Sequence, residues 1–257
     1  MTVTTTARRF FLRYALMVFG LLAALPMLAC GQPPNQFFIV QNQVEEAGCI
    51  INTAQSPYRS RGHMDVRLIR KDAITGYLAF PLVKNDLPPE EGSVAQQNRI
   101  ALSSFVVDLE TIGPPPARIA DLMQNLEASN PEVLHFRQPT SGSVGPGGAL
   151  TATSVTVITA DLARRIRDTG DLKTVPYLQL GARIKVVGRR GTGVIESDPF
   201  LFPINVCDGC LVARVESCPF TTPPTNMGNA CNIAQDGFVD CCTMGDSFIC
   251  PPPVAAP

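Results

Sequence analysis

The chain has 257 residues, with 21 Lys and Arg against 22 Asp and Glu, a formal net charge of -1, and 45% hydrophobic residues. This near-neutral balance excludes the basic footprint of a nucleic-acid binder, and the apolar content excludes a wholly disordered chain. There are 9 cysteines, an odd number, so intramolecular pairing alone cannot use them all.

The first acidic residue is Glu45. Ahead of it, a basic segment with Arg8, Arg9 and Arg13 runs into an apolar stretch from Tyr14 to Leu28. That order, charged and then apolar and then small, is the order of a secretory signal. The apolar run of about 15 residues is shorter than the 18 or so expected of a spanning helix, and Pro26 interrupts it. A retained N-terminal anchor is the alternative. The sequence Ala29-Cys30-Gly31 resembles the lipobox of bacterial lipoproteins. The resemblance implies that the Cys30 thiol receives a diacylglycerol and becomes the new N-terminus, tethering the chain to a membrane. Gly31 implies sorting to the outer membrane of a Gram-negative envelope. Residues 7–13, Ala-Arg-Arg-Phe-Phe-Leu-Arg, are similar to a twin-arginine motif, which implies export of a folded protein. A fold that needs disulfides favours the general secretory route instead.

Removing residues 1–29 leaves 18 Lys and Arg against 22 Asp and Glu. The expected organisation is a signal peptide over 1–29, a tether over 30–35, a β domain over 36–206, a cysteine-rich segment over 207–250 and an extended tail over 251–257. Strand-like runs start with QFFIVQ at 36–41, CIIN at 49–52 and the alternation of Met64, Val66 and Leu68 with Asp65 and Arg67. TGYLAFPLV follows at 75–83. In RIALSSFVVDLE, Ile100 and Leu102 share a face with Phe105, Val107 and Leu109 only if a bulge adds a residue near Ser103 and Ser104. Ile119, Leu122, Met123 and Leu126 then mark an amphipathic helix after Pro114–Pro116.

VLHF at 133–136 and SVTVIT at 154–159 read as strands, separated by the loop SGSVGPGG. Asp161 is the expected cap of a helix over LARRIRD, with Gly170 beyond its end; Leu162 and Ile166 face inward, and Arg164, Arg165 and Arg167 face solvent. Leu178, Leu180, Ala182, Ile184 and Val186 alternate with polar residues, as do Phe200, Phe202, Ile204 and Val206, and residues 189–193 read as a hairpin tip between strands. The predicted class is all-β, an antiparallel β-sandwich (immunoglobulin-like), with one or two short helices and a disulfide-rich C-terminal appendage.

From Cys207 onward, bulky aliphatics thin out while Gly, Pro, Asn and Cys accumulate, so this segment needs covalent staples. With Cys30 lipidated, eight cysteines remain: Cys49, Cys207, Cys210, Cys218, Cys231, Cys241, Cys242 and Cys250. Seven of them lie after residue 206, so at least one bridge must reach Cys49; its expected partner lies between Cys207 and Cys218. Adjacent Cys241 and Cys242 should reach different partners, because neighbouring Cα atoms are too close for a disulfide. Cys207-Asp208-Gly209-Cys210 admits zinc, redox and disulfide readings. A zinc site would want a second such pair or clustered histidines, and the two histidines, His63 and His135, are far upstream. A thioredoxin-like pair would want βαβ surroundings. The expectation is therefore structural disulfides, with no metal and no cofactor. NIAQDGFVD at 232–240 resembles a calcium loop, but Ala234 and Thr243 stand where ligands are needed, leaving a turn at Asp236-Gly237.

G-x-S-x-G, P-loop, H-E-x-x-H and G-x-G-x-x-G motifs are all missing from the sequence. His63 and Asp65 share a strand face at i and i+2 without forming a close orienting pair, and no catalytic residue is assigned. The expected function is a membrane-anchored, noncatalytic envelope lipoprotein whose β-sandwich meets an envelope protein or glycan. A periplasmic or surface hydrolase with a scattered carboxylate site is the alternative.

Overall fold

The structure, a computed structural model, describes residues 35–54, 57–89, 97–245 and 247–251. The expected signal peptide, the twin-arginine-like stretch, Cys30 with its tether up to Pro34, and tail residues 252–257 lie outside the described residues. The described residues belong to one unit, Asn35–Pro257.

In chain order, β1 (Phe37–Gln43), the short β2 (Glu45–Glu46) and β3 (Ile50–Ile51), β4 (Tyr58–Arg59) and β5 (Gly62–Asp65) come first. β6 (Thr75–Ala79), β7 (Pro81–Asn85) and β8 (Ile100–Thr111) lead into helix α1 (Ala117–Ser129). β9 (His135–Pro139), β10 (Ser143–Val144), β11 (Ala149–Ala152) and β12 (Val155–Thr159) lead into α2 (Ala160–Thr169). β13 (Leu178–Arg190), β14 (Gly193–Glu196) and β15 (Phe200–Cys207) follow, and β16 (Val212–Ser217), β17 (Val239–Met244) and β18 (Ser247–Ile249) come last.

The fold is all-β and sandwich-like. One sheet runs β11-β7-β1-β4; the larger runs β10-β8-β13-β15-β5, with β9 added on β8 and β14 on β13. β1 packs against β13 and β15 of the larger sheet, and the core between them holds Phe37, Ile39, Leu180, Ala182, Phe202 and Ile204. The period-2 alternation puts these side chains inside because successive strand residues point to opposite faces. Antiparallel pairing dominates, while β15 with β5 and β16 with β17 are parallel. The expected bulge is present: Val187 pairs with Ser104 and the next residue, Gly188, pairs with Leu102, so Ser103 is the extra residue. Gly188 is required there, since a Cβ would lie 2.5 Å from Ile100 Cγ2.

Several local expectations change. The Met64–Leu68 alternation does not continue as a strand; after Asp65 the chain turns through a 3-10 segment, Val66–Leu68, because the Asp65 carboxylate accepts the Arg67 N–H at 3.0 Å. Val133 belongs to a 3-10 turn, so the strand from VLHF begins only at His135. The α2 cap is Thr159, whose hydroxyl accepts the Leu162 N–H at 3.2 Å, while Asp161 sits in the first turn and pairs with Arg165. Gly170 ends α2 in the left-handed conformation, as expected. Arg164 and Arg167 are not simply solvated: Arg164 Nη1 donates to the Ala73 carbonyl at 3.1 Å and Arg167 Nη1 to that of Ile69 at 3.4 Å. α1 has no side-chain cap of its own; Asp171, 53 residues ahead of Arg118, accepts the Arg118 N–H at 2.9 Å and so caps α1 from the end of α2. Burying Ile119 and Leu126 contributes roughly 1.5–3 kcal/mol each and fixes the inward face of α1.

The eight described cysteines form four bridges: Cys49–Cys231, Cys207–Cys210, Cys218–Cys242 and Cys241–Cys250. Adjacent Cys241 and Cys242 do reach different partners. The partner of Cys49 is Cys231, outside the expected stretch between Cys207 and Cys218. The reason is that residues 234–236, and not the end of β15, return to the β5 region: Asp65 N donates to Ala234 O, Asp236 N donates to His63 O, and the Gln235 side chain bonds both the N–H and the C=O of Leu78 in β6. The cysteine-rich segment thereby covers an edge that β5 would otherwise present.

Candidate functional site

Three adjoining features surround β5. The first is the loop 207–211. Asp65 is fully buried at the end of β5. It accepts backbone N–H groups from Gly209 at 2.7 Å and Leu211 at 3.0 Å, in addition to Arg67. Burial pushes the Asp65 carboxyl up, against the three backbone donors and the Arg67 charge, which stabilise its ionised form. Cys207 Sγ, Cys210 Sγ and an Asp65 oxygen all lie within 4.8 Å of one another. Reduced, this trio would offer a soft metal three donors; bonded to each other, the two sulfurs offer no thiolate. Arg67 covers the loop from outside, with Nε 2.8 Å from Asp208.

The second feature is a buried polar network that sequence reasoning reduced to a turn. Asp236 has a positive φ of 54°, a conformation a short polar side chain tolerates. Its Oδ1 accepts the His63 N–H at 2.7 Å, and its Oδ2 accepts the Tyr77 hydroxyl at 2.5 Å and lies 3.3 Å from Arg59 Nε. Arg59 also pairs with Glu45 at 3.1 Å, and Asn229 Nδ2 donates to the same Glu45 oxygen. Burial pushes the Asp236 carboxyl up to about 6 in spite of Arg59, Tyr77 and the His63 N–H. Burial, followed by the nearby Asp236 charge, holds the Tyr77 phenol well above its ordinary value. His63 itself is exposed; partial burial, then Arg61 and Arg59, push its pKa down. It approaches Asn205 at 3.4 Å and lines a pocket of about 270 Å³ with Asp236, Leu211 and Phe238. The Asp65 carboxylate is taken up by the Arg67, Gly209 and Leu211 N–H groups while the His63 ring faces Asn205, so the two are not an orienting pair.

The third feature is a groove of about 670 Å³ between the 3-10 turn after β5, the C-terminal end of α2 and the last described residues. Arg67, Arg70, Lys71 and Arg167 supply cations; Ile233, Phe248 and Ile249 supply an apolar wall. Arg70 pairs with Asp72 and Arg167 with Asp168, both at the exposed surface, while Lys71 has no acidic partner among the described residues. The arginines of α2 were legible in sequence as a charged face; their meeting with residues 67–71 and 248–250 was not, because it depends on where α2 and β18 dock.

A further charged cluster holds α1 to the sheet. His135 lies 3.0 Å from Asp108 and 2.9 Å from Glu127, and those two carboxylates raise its pKa. No protein-family model, curated protein or solved structure matches the chain.

Proposed function

We propose that this chain is a lipid-anchored cell-envelope protein, held in the outer membrane through Cys30, whose β-sandwich presents a noncatalytic binding surface for an anionic glycan. The observation that carries the reading is the groove beside β5. Two of its cations, Arg70 and Lys71, stand on an exposed turn next to an apolar wall containing Phe248. Guanidinium and ammonium groups recognise carboxylate or phosphate substituents, and an aromatic flank suits the apolar face of a sugar ring. The lipobox-like Ala29-Cys30-Gly31 and the all-bridged cysteines of the domain support an oxidising, membrane-tethered setting.

The test uses the full chain in detergent micelles, titrated with uronic-acid oligosaccharides and with neutral maltooligosaccharides of equal length. Binding of the uronate series alone, weakened by salt and reduced at least tenfold in the Arg70→Ala/Lys71→Ala double variant, is the expected result. Equal affinity for the neutral series, or binding of neither, overturns it.

The alternative, a surface or periplasmic hydrolase, draws on Asp236, whose carboxyl is raised to about 6 beside the 270 Å³ pocket. Both of its oxygens are already engaged by protein donors, which favours a structural role. Release of cleaved product from the same oligosaccharides, lost in Asp236→Asn, selects the hydrolase.

A further inference from the structure

We propose that Cys207–Cys210 is a reversible dithiol–disulfide site, exchanging electrons with an external protein dithiol, while the other three bridges are permanent staples. Neither Arg70 nor Lys71 takes part, and of the groove's lining only Arg67 does, through its pair with Asp208, so the site stands apart from the glycan reading.

The four bridges close loops of very different length. Cys49–Cys231 spans 182 residues, Cys218–Cys242 24 and Cys241–Cys250 9, whereas Cys207–Cys210 spans 3. A cross-link restrains the unfolded chain in proportion to the logarithm of the loop it closes, so this bridge contributes least to holding the fold. Contacts other than the bridge hold the 207–211 loop in shape. The buried Asp65 carboxylate grips the Gly209 and Leu211 N–H groups from inside, Gly209 adopts a φ of 92°, and Arg67 ties Asp208 from outside. None of these contacts involves sulfur, so opening the bridge leaves the two thiols facing each other across an organised loop. The two sulfurs also differ in access: Cys207 is buried, and Cys210 is exposed beside the 270 Å³ pocket.

The chemistry follows from that asymmetry. A thiolate of the external dithiol attacks Cys210 Sγ; the new mixed disulfide forms as the Cys207–Cys210 bond breaks, and Cys207 departs as a thiolate that takes up a proton. The second external thiol then attacks the mixed disulfide, loses its proton and releases Cys210, which is protonated in turn. The external dithiol is oxidised by two electrons to a disulfide and the protein pair is reduced to two thiols. Asp65 acts as a positioning residue, keeping the sulfurs in closing distance in both states.

The experiment equilibrates the full chain in glutathione redox buffers at neutral pH, alkylates free thiols after acid quenching and maps the labelled peptides. Cys207 and Cys210 should label together, at a more oxidising buffer than the other six cysteines, with circular dichroism unchanged, and the label should vanish on reoxidation. Asp65→Asn, which places an amide donor opposite a backbone donor, should lower the closing equilibrium constant of this pair at least tenfold within the folded state. A purely structural role of Asp65 would lower thermal stability and leave that constant unmoved. The Cys207→Ser/Cys210→Ser variant should fold and label nowhere under the same conditions. Simultaneous labelling of all eight cysteines, or labelling only with loss of the fold, overturns the proposal.

Discussion

The Tyr77 phenol donates to the Asp236 carboxylate at 2.5 Å, joining a β6 residue to one 159 positions later in the cysteine-rich segment. Both groups are buried, so each satisfies the other where water does not reach. Gly62 lies directly over the same phenol: a Cβ there would sit 2.4 Å from Tyr77 Oη.

Tyr77→Phe removes one donor to a buried carboxylate and should cost about 1.5–3 kcal/mol, as expected for a hydrogen bond to a charged group. Gly62→Ala drives a methyl into the phenol and should cost about 1–3 kcal/mol by overpacking. The two changes share one contact, so the double variant should lose less than the sum. Urea denaturation of the four proteins measures this; strict additivity would mean that the clash over Gly62 comes from the ring carbons and not from the hydroxyl.

Acidity should act on stability through the same carboxylate. Asp236 has a folded value of about 6 against an ordinary 3.8, so between these values the folded state holds a proton that the unfolded chain releases. Stability therefore falls as pH rises through that window, by up to about 3 kcal/mol. His135 has a raised value, so its contribution is present below pH 6.5 and is lost as pH rises through the folded value. Asp240 works in the opposite sense. Burial opposes its ionisation, but donors from Asn226 and Thr225 and the Arg214 charge pull it down to about 2, and its contribution is lost as pH falls from 3.8 toward that value. Melting temperature against pH should decline between pH 4 and pH 6, and Asp236→Asn should flatten that decline.

The staples should rank by the chain they close. In the loop-entropy account, removing Cys49–Cys231 as a double Ser variant should cost about 5 kcal/mol, against about 2 kcal/mol for Cys207–Cys210. Chemical denaturation of each double variant, with non-reducing peptide mapping of the remaining bridges, gives the order. A larger loss from the short bridge than from the long one would contradict it.

Cys30 lies outside the described residues, and its role is read from the lipobox-like sequence around it. Two or more acyl chains, at about 0.8 kcal/mol per buried CH₂, would hold the protein on a bilayer essentially permanently. Mass spectrometry of the mature N-terminal peptide should find lipid on Cys30, and Cys30→Ala should release the domain into the soluble fraction. A soluble wild-type protein cut at another position would refute the assignment.

Much of the fold was legible in the sequence because a sheet writes its burial locally. Leu178–Val186 and Phe200–Val206 alternate with the period of the pleat, and the phase break at Ser103–Ser104 announced a bulge that the structure places at Ser103. Gly170 likewise announced the end of α2, since few other residues accept its left-handed conformation. Cysteine parity required a bridge from the C-terminal segment back to Cys49, and adjacency separated the partners of Cys241 and Cys242. What tertiary structure alone decided depends on long-range return of the chain. Cys231 rather than a residue of 207–218 meets Cys49 because residues 234–236 dock along β5 and β6. Asp171 caps a helix 53 residues away, and Thr159 displaces Asp161 as the cap of α2. The Asp236 network and the basic groove belong to the same class: each side chain is unremarkable in sequence, and its chemistry arises from neighbours that only packing supplies, as burial turns the ordinary carboxylate of Asp236 into one held up to about 6.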